Sequence, residues 1–366
     1  MLGSYSNRLF VLWQKYEHHL GVAAIFTGFV FDLFIADRPD SIPNNILLLS
    51  YLFIAGATIV LLNIRAPRYK EQERSFEQLL LLLVLQFCFG GLASNLLVLY
   101  GRSGTLGGST LFIGLLGALV FGNEFLRGRY ALLRFNIAVL YLLLLSYCVI
   151  AVPTFVTHSI GRWEFLLSGA VSVGIIAVFL AAVSAVALQD RREELVGVVT
   201  IIGSIFVVFN LLFFLNIIPP VPLSLKDIGV YHSLLRRSGG EYLAIYEKPG
   251  RFEFWRSTSG AYTLTPDKTA FCFSSIFAPA ELETPIYHRW EYFDDIQTRG
   301  WKTQSHVSFD ISGGREEGYR GFSQKSSLMP GRWRCSVETE QGALIGRFSF
   351  SVVESAAQVE LSQKTL

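Results

Sequence analysis

Ile217-Ile218-Pro219-Pro220-Val221-Pro222 is the stretch that decides the fold, because the chain before it and the chain after it obey different rules. Its prolines remove backbone donors and fix φ, so they end the preceding helix and stiffen the exit into a rigid spacer. Residues 20 to 221 hold nearly all the long apolar runs, whereas residues 222 to 366 have the mixed polarity of a soluble domain. The chain of 366 residues is 51% hydrophobic with a mean hydropathy of +0.42, against about 45–50% for an ordinary soluble domain even with glycine counted. Lipid is therefore the expected solvent for the first part, and two units are expected.

Backward from the prolines, apolar runs near 20 to 36, 46 to 64, 79 to 100, 106 to 122, 135 to 152, 165 to 188 and 196 to 218 are read as transmembrane helices. Crossing a hydrocarbon core takes roughly 17 to 25 residues of helix, and an open strand there would leave its backbone groups unpaired in lipid. The first run lacks a small-residue cleavage site and contains Asp32, so it reads as an anchor kept in the mature chain. Residues 1 to 19 read as a cytoplasmic, interfacial segment, with Leu9, Phe10, Trp13, Tyr16 and Leu20 at helical spacing.

Orientation follows from the basic residues of alternate loops, which are retained in the cytoplasm. One set holds Arg8, Lys15, Arg65, Arg68, Lys70, Arg74, Arg127, Arg129, Arg134, Arg191 and Arg192; the other holds only Arg38, Arg102 and Arg162. The N-terminus is thus expected inside. An odd number of spans puts the C-terminal domain outside, in the periplasm of a two-membrane bacterium.

Forward from the prolines, β-type segments are expected near 241 to 246, 252 to 255, 270 to 277, 286 to 292, 304 to 311, 319 to 325, 332 to 339 and 343 to 353. Turn signals at Ser238-Gly239-Gly240, Pro249-Gly250, Ser312-Gly313-Gly314, Pro330-Gly331 and Gln341-Gly342 separate them. The expected architecture is a membrane all-α bundle of about seven transmembrane helices over 20 to 221, then an all-β, immunoglobulin-like sandwich over 222 to 353. The polar tail, 354 to 366, reads as disordered.

Several stretches carry a resemblance. In the C-terminal part these are His288-Arg289-Trp290, Tyr319-Arg320-Gly321-Phe322-Ser323-Gln324-Lys325, Gly331-Arg332-Trp333-Arg334 and the strand from Gly342 to Phe350. In the membrane part they are Gly28-Phe29-Val30-Phe31-Asp32, Gly122-Asn123-Glu124-Phe125-Leu126-Arg127 and Pro219 to Asp227. Together they resemble a bacterial inner-membrane family with a C-terminal domain of unknown function, domain of unknown function 2914, in its long form with an N-terminal multi-span membrane domain. The resemblance implies an inner-membrane protein with a periplasmic domain, and it transfers no activity. Cys335 stands where the family pattern leads us to expect an aliphatic residue.

The chain has no Gly-Lys pair for a P-loop, no His-Glu-x-x-His, no Cys-x-x-Cys and no Gly-x-Ser-x-Gly. No catalytic set, metal set or cofactor is expected. A net charge of +2 gives no basic field for nucleic acid.

On the segment from 286 to 292, Ile286, His288, Trp290 and Tyr292 share one face, and Tyr287, Arg289 and Glu291 share the other. The first face reads as core, with a hydroxyl such as Ser323 satisfying the His288 ring. A second reading has His288, Trp290, Arg320, Ser323 and Lys325 lining a groove for an anionic or sugar-containing envelope ligand.

Cys272 and Cys335, 63 residues apart, could bridge two sheets. However, Phe271 and Phe273 are better core residues than Cys272, which is then expected to face outward. A disulfide needs converging side chains with a Cα separation of about 4.4–6.8 Å, so two free thiols are expected.

Asp32 lies in the outer third of the first span, where an acid faces protein or water rather than lipid. Arg38, Tyr100, Arg102, His158, Arg162 and Asn216 are expected at the same level, as a polar floor beneath the sandwich. Local pairing of Asp32 with Arg38 is the plainer alternative. Two functional classes follow. One is a non-enzymatic envelope protein whose sandwich binds a polysaccharide, a lipid headgroup or a periplasmic protein. The other is a membrane-embedded transporter or enzyme acting on a lipid-linked or small polar substrate at the outer face. The absence of paired carboxylates or broken helices within the spans favours the first.

Overall fold

The computed structural model describes residues 30, 32, 34, 36, 38–69, 76–104, 109–122, 133–187, 192–237, 241–253, 256–264, 266, 268–295, 299–315, 317–354 and 360–366. The chain divides into a helical unit and a β unit; Arg102–Ser109 and Thr157–Arg162, which include helix ends, group with the latter together with Ile218–Leu366.

Six helices make up the described helical unit: α1 (Ile42–Tyr69), α2 (Phe76–Ser103), α3 (Thr110–Gly122), α4 (Leu133–Val152, continued by a π turn Pro153–Thr157), α5 (Arg162–Ala187) and α6 (Arg192–Phe214). Five of them are long and apolar enough to cross a membrane: all except α3. The described part of α3 has 13 residues, and residues 123–132, which follow it, lie outside the described ones. The expected first span falls mostly outside the described residues, as does the expected N-terminal segment, so five of the seven expected spans are met among the described residues. Among the described helices that are long and apolar enough to cross a membrane, α4 is the most enclosed, with 78% of its apolar window buried against 17% for α6.

Eleven strands follow: β1 (Ser224–Tyr231), β2 (Ser233–Arg236), β3 (Tyr242–Glu247), β4 (Ala261–Thr263), β5 (Ala270–Phe277), β6 (Glu283–Asp294), β7 (Gly300–Ser312), β8 (Tyr319–Lys325), β9 (Gly331–Thr339), β10 (Leu344–Val353) and β11 (Leu361–Thr365). They form three sheets in the orders β1-β5-β8, β4-β10-β9-β6-β7 and β11-β3-β2. The first two face each other. Their cores hold Val230, Cys272, Trp290, Trp333, Cys335, Phe348 and Phe350 toward one end, and Ile276, Ile286, Ile311, Val337 and Ile345 toward the other. The third sheet covers the far side of the first, burying Tyr231, Leu234, Tyr242, Ala244 and Phe273.

This third layer overturns the expectation of free thiols. Cys272 and Cys335 are joined by a disulfide with Cα atoms 6.5 Å apart. Because β5 is buried on both faces, Phe271 and Phe273 pack toward the third sheet while Cys272 looks inward at β9. Good core residues on one face of a central strand therefore say nothing against the other face.

The tail is a second correction. Leu361–Thr365 pairs antiparallel with β3, Leu361 opposite Glu247 and Thr365 opposite Leu243. Its composition misled because an edge strand needs only backbone pairing on one side. Lys364 lays its ammonium over the rings of Tyr231 and Tyr246 at 5.2 and 5.1 Å, keeping charge at the rim of an aromatic patch. No strand was expected before 241, yet β1 begins at Ser224, just beyond the prolines, and pairs with β5. Of the strand expected at 252 to 255, Phe252 and Glu253 lie in a turn and a non-strand segment.

Candidate functional site

β6 alternates faces, and its even positions build a sealed polar cluster between the two principal sheets. His288 has no exposed surface. Its Nε2 lies 2.8 Å from Ser274 Oγ on β5, and its Nδ1 2.9 Å from Ser323 Oγ on β8. Trp290 Nε1 donates to the same Ser323 oxygen at 2.9 Å. Ser323 is thus the hydroxyl partner that the buried-core reading requires. Burial pushes the His288 pKa down to about 3, so the ring is neutral at ordinary pH and clamped at both nitrogens.

The other two residues of the expected groove stand apart. Lys325, opposite Ala270 at the end of β8, shares a face with Ser323. Arg320 is on the opposite face and pairs with Glu317. The five residues do not converge on one cleft. Cys272, His288 and Cys335 place their donor atoms within 4.8 Å of one another, but both sulfurs are held in the disulfide and are not thiolates.

The odd positions of β6 open onto the outer face of the five-stranded sheet, where the strand register assembles a charged array. Arg334 forks onto Glu291 at 2.5 and 2.8 Å, and Ser336 Oγ lies 3.4 Å from the same carboxylate. Arg289 pairs with Glu338. Arg347 Nε donates to Ser336 Oγ at 3.0 Å. Aromatic rings border the array: Arg334 lies 4.2 Å over Trp301, Arg332 3.8 Å over Phe293, and Tyr287 stacks on His306 at 4.7 Å.

Burial raises the Glu291 carboxyl, but the Arg334 hydrogen bonds and the charges of Arg289, Arg334 and Arg347 outweigh it and hold the pKa below the usual range. At Glu338 burial wins over Arg289, and its carboxyl is raised. Glu338 and Arg347 were not singled out from the sequence, and Arg334 entered only through the family resemblance and not as a site residue. The readable signal was Arg332-Trp333-Arg334-Cys335-Ser336, in which large apolar and polar residues alternate as a strand with one wet face requires.

The polar residues expected as a floor are divided between the two units. In the helical unit, Asp32 is buried, with Ser94 and Asn95 as its polar neighbours. Arg38 forks onto Asp40 at 3.0 and 2.8 Å. Tyr100 donates to the Ser146 carbonyl at 2.9 Å, and Asn216 is a left-handed residue in the turn after α6. Arg102, Arg162 and His158 group with the β unit. There the His158 carbonyl accepts from Glu283 N at 3.2 Å and its ring lies 3.6 Å from Glu281.

No curated protein matches the chain. Among solved structures, a mutant β-glucosidase from Listeria innocua in complex with laminaribiose is 10% identical, over 35% of this chain and 16% of that one, with a TM-score of 0.20. The chain thus spans a small part of that enzyme's length. An alkylpurine DNA glycosylase from Pseudomonas fluorescens bound to DNA is 11% identical over 86% of this chain and 99% of that one, also with a TM-score of 0.20. Neither likeness carries an argument about fold or activity. Residues 283–352, which run from β6 through β10, match the family profile described as a protein of unknown function, DUF2914.

Proposed function

We propose that this chain is a non-enzymatic bacterial inner-membrane protein, with a cytoplasmic N-terminus and a helical unit that anchors a periplasmic, immunoglobulin-like β unit. The observation that carries this reading is the Cys272–Cys335 disulfide between the two facing sheets. Such bonds form and persist in oxidising compartments and are rare in the cytosol, which agrees with the side given by the Lys and Arg distribution. In this reading the outer face of the five-stranded sheet is the binding surface. Three arginines, Arg289, Arg334 and Arg347, against two glutamates, Glu291 and Glu338, leave this face with excess positive charge beside the Trp301 ring, a chemistry suited to an anionic envelope ligand such as an acidic polysaccharide, a lipid headgroup or an acidic patch on a periplasmic protein. His288, Trp290 and Ser323 act from behind this face, as its rigid backing.

The test is topological. A reporter active only outside the cytoplasm should work when fused after Leu366 and stay silent when fused within 65 to 76; the reverse pattern overturns the proposal.

A further inference from the structure

The helical unit contains a second polar cluster that the binding reading does not use. Asp32, Asn44, Ser94 and Asn95 are all buried, with exposures of 2%, 0%, 2% and 0%. Asn44 on α1 and Asn95 on α2 exchange amide hydrogen bonds, Asn95 Nδ2 to Asn44 Oδ1 at 2.7 Å and the reverse at 3.2 Å. This exchange fixes which end of each amide points where and leaves each carbonyl oxygen a free lone pair. Asn45 is tied separately, to Tyr147 and to the carbonyls of Pro39 and Ser41. Ser94 and Asn95 stand within reach of the Asp32 carboxyl, yet Asp32 Oδ2 and Ser94 Oγ, both sealed from solvent, meet no partner at hydrogen-bond geometry among the described residues.

Orphaned polar oxygens in a protein interior need an explanation, and in a membrane bundle the cost is higher still. A carboxylate costs about 2.5–3.5 kcal/mol at mid-bilayer on insertion scales, and less in the outer third where Asp32 is expected. No Lys or Arg among the described residues balances Asp32; Arg38 is forked onto Asp40. A proton on Oδ2 would neutralise the charge, but Ser94 would have to turn toward it to share it. An ion between the two oxygens serves both.

We propose that Asp32, Ser94 and the Asn44–Asn95 pair form an intramembrane site for a sodium ion. The donors are all hard oxygens, with no thiolate or imidazole to favour a transition metal. One carboxylate balances one positive charge, whereas divalent cations are commonly held by several carboxylates. The small donor set suits Na+ better than the larger K+. This site stands independently of the proposed binding surface, and either can fail without the other.

The experiment uses the full chain, purified in detergent, with Na+ compared against N-methylglucamine and K+ at equal ionic strength, well above the ordinary carboxyl range. Na+ should raise the melting temperature saturably, as a ligand of the folded state does, and radioactive sodium should bind at one per chain. Asp32→Asn should abolish both effects, and Ser94→Ala should weaken the apparent affinity several-fold. If Asp32→Asn fails to fold, the wild-type response and Ser94→Ala decide. A wild-type protein that responds alike to all three cations overturns the proposal. So does an infrared carboxylic-acid band for Asp32 that persists unchanged in saturating Na+, which would mark a proton-only site.

Discussion

The two units bury polar groups in opposite ways. In the β unit the His288 cluster is closed: both ring nitrogens, the Trp290 indole and two serine hydroxyls satisfy one another without solvent. In the helical unit the Asp32 cluster is open: an oxygen of Asp32 and one of Ser94 face no donor among the described residues. A closed cluster is structural and its removal registers in stability. An open one registers only when something binds. Burial and polarity alone do not separate the two; the hydrogen-bond inventory does.

The largest effect should come from the bond that locks the closed cluster's sheets together. With the cysteines at a sequence separation of 63, loop-closure entropy puts the loss for a Cys272→Ala, Cys335→Ala double variant at about 4 kcal/mol, read by thermal or urea unfolding of the β unit's tryptophan fluorescence. Peptide mapping without reductant should recover the 272–335 crosslink. A double variant as stable as the parent would break the comparison at its strongest point.

Next comes His288→Leu, which strips Ser274 and Ser323 of a shared partner in a dry site and should cost about 1–3 kcal/mol. The same residue makes stability depend on pH. Its folded pKa, about 3, lies below the ordinary 6.5, so the unfolded chain takes up a proton that the folded chain refuses. Stability is full above 6.5 and falls as pH drops toward 3, by up to about 1.4 kcal/mol per pH unit. His288→Gln should flatten that part of the curve.

A smaller loss is expected for Glu291→Gln, which leaves the forked Arg334 without its counter-charge at a half-buried site, at about 1–2 kcal/mol. It should also alter binding of any anionic ligand to that face, whereas the His288 variants should not once folded. The smallest effect belongs to the open cluster. In sodium-free buffer Ser94→Ala should change stability by no more than about 0.5 kcal/mol, because its hydroxyl has nothing to lose. A large cost there would show a partner for Ser94 and close the cluster.

Legibility followed the same divide between pattern and inventory. The spans were readable because length and apolarity are what a bilayer demands, and α1, α2, α4, α5 and α6 lie close to the expected runs. The 319 to 325 strand lies where it was expected, bounded by turn residues. Ser323 as the hydroxyl beside His288 was also readable, since a buried imidazole requires one. Three things were not. Pro219 and Pro220 concealed that Ser224 already begins a strand; the third sheet made both faces of β5 core; and Leu361–Thr365 pairs through its backbone, which side-chain pattern does not record. The Arg289–Glu338 and Arg334–Glu291 array depends on strand register, a long-range property absent from any local window.

The pairing of β11 with β3 bears on how the chain is made. β3 sits between β2, which precedes it, and β11, which the ribosome delivers only after all the strands of the five-stranded sheet. Until then one side of Tyr242–Glu247 has unpaired amides and carbonyls beside an aromatic patch, the kind of edge that recruits a wrong neighbour. The sandwich core can close before this seam does. Synthesis that stalls short of Leu361 would leave that edge of β3 open, whereas in the finished sheet the edge is β11, which carries the charge of Lys364 over Tyr231 and Tyr246.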